Sequence, residues 1–144
     1  MASVREELES AWAPRDMVMA VIRDTSRSEG AWRDLRESGF EERDLAVFRG
    51  EEAAEHLDIE GKRTMGRFTR PLRAFWSYFS IEEPELRAYE QAGEAGHDIV
   101  AVRATTDDRV AVAHRILSAA GASNIRRFTR WNVADLPDDQ PGAA

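Results

Sequence analysis

The chain has 144 residues, a net charge of −7 at neutral pH and no cysteine. This length suits one domain with its own core, and the lack of cysteine excludes disulfides, thiolate nucleophiles and zinc–thiolate sites. No apolar run approaches the roughly 20 residues that cross a bilayer, so we expect a cytoplasmic protein that does not bind membranes. Nucleic-acid-binding proteins usually carry a basic footprint, and the acidic balance here therefore argues against nucleic acid as a partner.

The first predicted strand is the continuously apolar run from Met17 to Ile22. Runs without polar alternation are typical of strands that are covered on both faces. Asp24, Thr25 and Ser26 are candidate N-caps of a helix, and Ser26 with Glu29 has the spacing of a capping box. Gly39 is placed to end that helix in the left-handed conformation. A second strand over Leu45–Gly50 completes a β-α-β unit.

The same order of elements returns near the end of the chain. Ile99 to Val102 is the predicted strand, Thr106 or Asp107 the helix cap, and Gly121 the helix end. Ile125 to Val133 is the last predicted strand. Its interleaved arginines favour a place at the edge of the sheet, where charge discourages further pairing.

A shift of 82 residues relates the two halves, because it places Val18 on Val100 and also Gly39 on Gly121. Strand and helix end therefore agree in one register, which indicates two copies of one supersecondary unit. We predict an α+β ferredoxin-like β-α-β/β-α-β sandwich with a four-stranded antiparallel sheet. The two apolar runs should be the central neighbours of that sheet.

The predicted organisation is a single domain over residues 1–134, in which 15–50 and 97–134 are the two halves. Residues 51–96 form a helical insertion between the halves, because they are too many for a simple loop. The helices predicted within the insertion are Glu51–Leu57, Thr64–Phe79 and Glu83–Ala95. Pro71 interrupts the second of these and is a candidate for its true first turn. Residues 135–144, rich in Asp and Pro, are predicted to be a disordered acidic tail.

The insertion separates its charges along the chain. Residues 61–80 carry five basic residues and no acid, whereas residues 81–98 carry six acidic residues and one arginine. The structural interpretation is that two antiparallel helices present complementary faces. The functional interpretation is an anion site, in which guanidinium groups hold a carboxylate or phosphate beside aromatic rings. The candidate ligand-binding residues are Arg67, Arg70, Arg73, Trp76 and His97.

The aromatic residues of the insertion are open to two interpretations, core or pocket. Phe75, Trp76 and Phe79 recur at helical spacing, which is typical of a buried stripe. A filled core would favour a non-catalytic binding module, and an open cavity bordered by Arg67, Arg70 and Trp76 would favour a cofactor-independent enzyme or small-anion binder. The sequence has no serine-elbow, phosphate-loop or dinucleotide motif and no clear metal-ligand set, so we predict no catalytic residue, cofactor or metal.

Core and turn residues of both halves resemble a bacterial family, that of general stress protein 17M and YflT-like domains. The matching residues are Tyr89-Glu90, Gly93, Gly96, Ile99 to Val102, Ala113, Ile116-Leu117, Gly121-Ala122, Val21 to Asp24, Trp32, Leu35 and Gly39-Phe40. The resemblance implies a ferredoxin-like α+β fold in a stress-associated protein of generally unassigned activity. Many family members carry an apolar Gly/Ala-rich segment between the halves, where this chain has arginines and aromatics.

We further expect a homodimer. Small sheets of this kind leave one face or one edge open, and closed two-fold association is the commonest remedy. The arginines of the last predicted strand disfavour edge pairing, so the contact is expected through the sheet face or the insertion. A small anion or an acidic protein is the further partner that the basic segment predicts.

Overall fold

The computed structural model describes residues 16–50, 69–79, 84–129 and 133–136. The strands are β1 (Met17–Ile22), β2 (Leu45–Arg49), β3 (Thr69–Pro71), β4 (Asp98–Arg103), β5 (Ser123–Phe128) and β6 (Val133–Asp135). The helices are α1 (Ser28–Glu37), α2 (Leu86–Glu94) and α3 (Asp107–Ala119), with one further helical turn at Phe75–Tyr78. Short 3-10 turns occupy Thr25–Arg27, Glu42–Asp44 and Leu72–Ala74. The α+β class is therefore confirmed.

The strands of the described residues form one mixed sheet in the order β3-β2-β4-β1-β5-β6. β1 and β4, the two apolar runs, are antiparallel neighbours at its centre, as predicted. β1 also pairs antiparallel with β5, and β4 with β2, whereas β2 and β3 run parallel. The sheet exceeds the four predicted strands because the insertion and the segment after β5 each add a strand of three residues.

Both faces of the sheet are covered, which explains why its central strands are apolar at every position. On one face, Val18, Ala20, Val100 and Val102 lie under α1 and α3 and are at most 1% exposed, as predicted. The other face is covered by the buried residues Leu72, Phe75, Phe79, Leu86 and Tyr89. Burial of each such large side chain contributes about 1.5–3 kcal/mol. The chain itself therefore covers the face through which a homodimer contact was expected.

A local two-fold axis relates the two halves at the centre of the sheet. Met19 and Ala101 are equivalent under the shift of 82 residues, and they are paired with each other in the β1–β4 register. The helix ends repeat as well, because Gly39 has a φ of 102° and Gly121 a φ of 78°. Glycine adopts this conformation without a Cβ clash. The prediction of a left-handed Gly121 is therefore confirmed.

Each of these two glycines lies beneath an arginine from the start of the other helix. A Cβ atom on Gly39 would stand 3.4 Å from Nη1 of Arg109, and one on Gly121 would stand 3.6 Å from Nη1 of Arg27. Arg27 and Arg109 are themselves equivalent under the shift of 82 residues. Arg109 also donates a hydrogen bond of 3.1 Å to the carbonyl of Ser38, where a cation favours the end of α1. The helices α1 and α3 are therefore antiparallel neighbours.

The helix starts repeat too, although α1 begins later than predicted. Of the three predicted cap candidates, Asp24 supplies the cap, since its carboxylate accepts a hydrogen bond of 3.2 Å from the Ser26 amide. A 3-10 turn follows, and α1 begins only at Ser28. Thr106 caps α3 as predicted, by accepting a hydrogen bond of 3.2 Å from the Arg109 amide. Asp24 and Thr106 are equivalent positions, so the caps follow the repeat.

The described part of the predicted helix Thr64–Phe79 is helical only after Pro71, in agreement with Pro71 as the candidate for its true first turn. Thr69–Pro71 is strand β3, and helical structure begins only after Pro71. Pro71 has a φ of −65° and a ψ of 148°. Proline lacks the amide hydrogen that a helix interior needs and drives the preceding residue toward extended backbone, so a helix cannot run across it.

The predicted strand Ile125–Val133 is two strands. β5 ends at Phe128, and β6 returns antiparallel beside it, with Arg126 opposite Asp135. β5 is therefore not an edge strand, because β6 covers its outer side. One of its arginines, Arg127, donates a hydrogen bond of 2.8 Å to the Asp107 carboxylate at the start of α3.

Two further predictions lie partly or wholly outside the described residues. Asp135 belongs to β6, and the amide of Leu136 donates a hydrogen bond of 2.9 Å to the carbonyl of Ile125, so the fold continues into the predicted tail. The rest of that tail, beyond Leu136, and the predicted helix Glu51–Leu57 are not among the described residues.

Candidate functional site

Four of the five predicted ligand-binding residues belong to the described part of the chain. Arg70 is exposed on β3, Arg73 is exposed in the following 3-10 turn, and Trp76 is half-buried in the next helical turn. His97 is half-buried immediately before β4, and Arg67 lies outside the described residues. Arg73 and Trp76 are three residues apart on helical backbone, so their side chains are surface neighbours.

Within the insertion, the Trp76 ring packs against α2. Its Nε1–H donates a hydrogen bond to the Glu90 carboxylate, and the Arg87 guanidinium lies 5.5 Å from a ring centroid. Phe75 meets the same ring edge-on, with centroids 5.2 Å apart. A cation over an aromatic face contributes about 0.5–1 kcal/mol at an exposed site. These contacts join the two segments of the insertion through the neutral Trp76 ring, and none of them pairs a basic residue of 61–80 with an acid of 81–98.

Beneath Trp76 the described residues form a filled aromatic core. Phe75 lies edge-to-face with Phe48 of β2 at 5.2 Å and with Phe79 at 5.0 Å between centroids. Phe48 and Phe75 are fully buried, and Phe79 is 6% exposed. Edge-to-face pairs of this kind are the preferred packing of aromatic rings. Phe75 and Phe79 are therefore core residues rather than the lining of a pocket.

His97 has a backbone role at the end of α2. Its amide donates a hydrogen bond of 3.1 Å to the carbonyl of Ala92, and the Gly96 amide donates one of 2.9 Å to Gly93. Together with the positive φ of Gly96, this pair of bonds is a Schellman motif, which satisfies the last carbonyls of a helix. His97 is thus placed at a helix end, as the residue that leads into β4.

A buried ion pair, which the sequence analysis missed, joins β2, β4 and α1. One oxygen of the Asp98 carboxylate accepts hydrogen bonds from both the Arg49 guanidinium and the Ser28 hydroxyl. All three residues are at most 1% exposed. A buried charge costs several kcal/mol unless it is paired and hydrogen-bonded, so these three residues are stable only as a unit. We call them the buried polar clamp.

The buried polar clamp closes the base of the insertion. Arg49 is the last residue of β2 before the chain enters the insertion, and Asp98 is the first residue of β4 after it. At the same junction a Cβ atom on Gly50 would stand only 2.8 Å from the Cα of Gly96. The two ends of the insertion therefore touch through backbone and are tied by an ion pair. The arrangement holds a segment in place and offers no water-accessible nucleophile or base.

The sequence contained a signal for this clamp. Asp98 directly precedes an apolar run and Arg49 directly follows one, at strand ends that are covered on both faces. A charge in such a strand must find an opposite charge. By its position in the sequence Asp98 belongs instead to the acidic run of residues 81–98.

The Asp24 carboxyl at the start of the first helical segment has a lowered pKa. The hydroxyl of Ser26 donates a hydrogen bond of 2.6 Å to the Asp24 carboxylate and lowers the pKa of that carboxyl below its usual value. The Ser26 amide and the charge of Arg27 act in the same direction. Asp24 is exposed, so the lowered pKa is that of a helix cap and not of a general acid.

Across the described ranges, no cluster of three or more His, Cys, Asp or Glu residues could hold a metal ion. No helix in that part of the chain is long and apolar enough to cross a membrane. Comparisons of the sequence with protein-family models, with curated proteins and with solved structures find no match. The resemblance to the general stress proteins therefore stays a prediction.

Proposed function

We propose that the protein is a non-catalytic binding module of stress-associated or regulatory type, cytoplasmic and homodimeric. The resemblance to the general stress protein 17M and YflT-like domains supports this proposal. The strand order supports it as well, because β2, β4, β1 and β5 are adjacent in that order with antiparallel pairing, as in a ferredoxin-like sheet. On this proposal the insertion is an addition that covers the face such a sheet leaves open.

The observation that carries the proposal is the filled core beneath Trp76. An enzyme that works without a cofactor needs a concave site that surrounds its substrate. Buried aromatic rings occupy the described region beneath the insertion instead. Above them lie the exposed Arg70 and Arg73 and the half-buried Trp76, which we call the arginine–tryptophan patch. Arginine and tryptophan are the residue types enriched at the energetic centres of protein interfaces.

An acidic segment of a partner protein is the ligand that this patch fits best. Guanidinium groups form paired hydrogen bonds with carboxylates. The Trp76 ring is fixed by Glu90 and Arg87, so little conformational entropy is lost when a partner packs against it. The protein as a whole is acidic and would repel a long polyanion, which favours a short acidic segment.

The test compares two double variants for binding of a fluorescein-labelled, glutamate-rich peptide, followed by fluorescence anisotropy. Arg70→Gln with Arg73→Gln should weaken binding by about 3- to 10-fold, since an exposed ion pair contributes about 0.2–1 kcal/mol. Arg33→Gln with Arg115→Gln removes two exposed arginines from α1 and α3, on the other face of the sheet, and should leave binding unchanged.

The difference between the two double variants should shrink as salt rises, because exposed charges are screened over about 8–10 Å at ordinary ionic strength. Equal loss in both variants would contradict the patch, and an unfolded patch variant by circular dichroism would make Arg70 and Arg73 structural. The alternative, a small-anion binder, predicts that inorganic phosphate raises the melting temperature of the wild type and not of the patch variant.

A further inference from the structure

The charges of α2 are placed against the dipole of their own helix. α1 has Glu29 in its first turn and Arg36 in its last, and α3 begins with Asp107 and Asp108, which is the favourable arrangement. α2 has no acidic residue in its first turn and no basic residue in its last. Its second residue is Arg87 and its last is Glu94, so each charge lies at the end of the helix where the dipole disfavours it.

These charges belong to one exposed stripe of α2. Arg87, Gln91 and Glu94 are all exposed, and their spacing of four and then three residues places them on one side of the helix. The opposite side is buried against the sheet through Leu86 and Tyr89. The stripe is therefore a surface with a cation at one end, an anion at the other and a neutral amide between them.

We propose that the homodimer forms by antiparallel contact of α2 with α2 of a second copy, about a two-fold axis near Gln91. In this arrangement Arg87 of each copy faces Glu94 of the other, because both lie at similar distances from the axis. Arg87 then also lies near the partially negative C-terminal end of the partner helix, and Glu94 near its partially positive N-terminal end. A surface that complements itself in this way is what a closed two-fold interface requires.

The stacking of Arg87 on Trp76 within its own chain is compatible with this role. Its guanidinium lies over Trp76, and a guanidinium can stack on a ring through its face while its edge donates hydrogen bonds to a carboxylate. Ala88, which is half-buried beside the stripe, is small enough to let two helices approach to the usual 8–10 Å.

Other surfaces of the described residues are less suited to a dimer contact. The sheet face that lacks α1 and α3 is covered by residues of the insertion, including those of α2. The outermost strands of the described sheet, β3 and β6, have three residues each, which is short for pairing with another chain. This inference rests on the proposed function only in taking the protein to be a dimer. It adds the surface through which the dimer forms.

The test is a charge exchange followed by sedimentation velocity at micromolar concentration and low salt. Arg87→Glu should place two acids together at each end of the contact, and Glu94→Arg should place two arginines together. Each single variant should raise the dimer dissociation constant by about 10-fold or more, because like charges at an interface are repulsive. The variant that carries both changes should dimerise to within about 3-fold of the wild type, since opposite charges meet again.

Mixing the two single variants gives the most specific readout. One copy then carries only acids at these positions and the other only arginines, so a heterodimer should form although neither variant dimerises alone. Arg115→Glu, an exposed position of α3, is the matched control and should not change the dissociation constant.

A monomeric wild type, or single variants that dimerise normally, would overturn this inference. The peptide measurement keeps it separate from the proposed function. A monomeric wild type that binds the glutamate-rich peptide refutes the homodimer, and with it the α2 contact, but leaves the arginine–tryptophan patch standing. A dimer rescued by charge exchange that binds no acidic peptide refutes the patch and leaves the α2 contact standing.

Discussion

The two halves of the chain use the same backbone devices and differ in how they begin. Asp98 opens β4 and is fully buried against Arg49 and Ser28. Asp16 is its equivalent under the shift of 82 residues, directly before β1, and it is only half-buried. Val110 occupies the position equivalent to Ser28, so α3 has no hydroxyl at that position to pair with Asp16.

The difference follows from the insertion, which joins the chain at Arg49 and leaves it at Asp98. Asp16 has no such junction to close; its backbone carbonyl accepts a hydrogen bond of 2.8 Å from Ala104, and its φ is 55°. The comparison indicates that strand pairing, caps and helix ends are properties of the repeated unit. Among the described residues, the fully buried charges are those at the two strand ends that border the insertion.

The strongest test of this comparison is to change each aspartate, in a separate variant, to asparagine. Asp98→Asn leaves the Arg49 cation buried without its counter-charge and should destabilise the protein by about 3–5 kcal/mol. Asp16→Asn should change stability by less than about 0.5 kcal/mol, because the site is partly exposed and asparagine tolerates a positive φ. Urea unfolding monitored by circular dichroism measures both. Similar losses in the two variants would mean that the clamp has no special role.

The helix-ending glycines should respond alike, which would sharpen the equivalence of the halves. Gly39→Val and Gly121→Val each force a β-branched residue into a left-handed conformation and should cost about 1–3 kcal/mol. Gly30→Ala is the matched control inside α1, where the added Cβ would lie 3.8 Å from its nearest neighbour. That change should stabilise the protein by about 0.4–1 kcal/mol. An unchanged unfolding midpoint for Gly121→Val would remove the helix boundary.

The caps should give the smallest effects and differ in their pH dependence. Thr106→Ala should cost about 1 kcal/mol at every pH, because a hydroxyl cap does not titrate in this range. Asp24 has a lowered pKa in the folded protein, so its contribution is complete above the ordinary aspartate pKa and is lost as the pH falls through the folded value.

Asp24→Asn should therefore differ from the wild type at pH 5–7 and converge with it in acid. Urea midpoints measured between about pH 7 and pH 2.5 follow this convergence across the ordinary aspartate pKa of about 3.9. A gap between wild type and variant that widens on acidification would contradict the assigned cap.

The elements that sequence predicted correctly are those written in local patterns. Continuous apolar runs identified β1 and β4, and glycines after helical stripes identified the ends of α1 and α3. Strand β3 was not predicted because its three residues pair with β2, which lies far from it along the chain. The buried polar clamp was not predicted because Arg49 contacts Asp98 only after the chain has folded back. Periodicity within one segment carries no information about such partners.

Of the candidate site, the residue types were predictable and their surroundings were not. The sequence placed Arg73 and Trp76 together in one segment, as the structure does. The Trp76 ring contacts Glu90 and Arg87. These contacts depend on how α2 packs, which no local sequence pattern encodes. The charge split of the insertion therefore allowed both the structural and the functional interpretation.

The position of β1 has a consequence for how the protein is made. Both neighbours of β1, namely β4 and β5, are synthesised after the whole insertion. At about 5–20 residues per second, the ribosome needs several seconds to extend the chain from β1 to β4. During that interval the most apolar strand of the protein has no partner in its own sheet, so a chaperone that shields Met17–Ile22 would act on the newly made chain before any folded form exists.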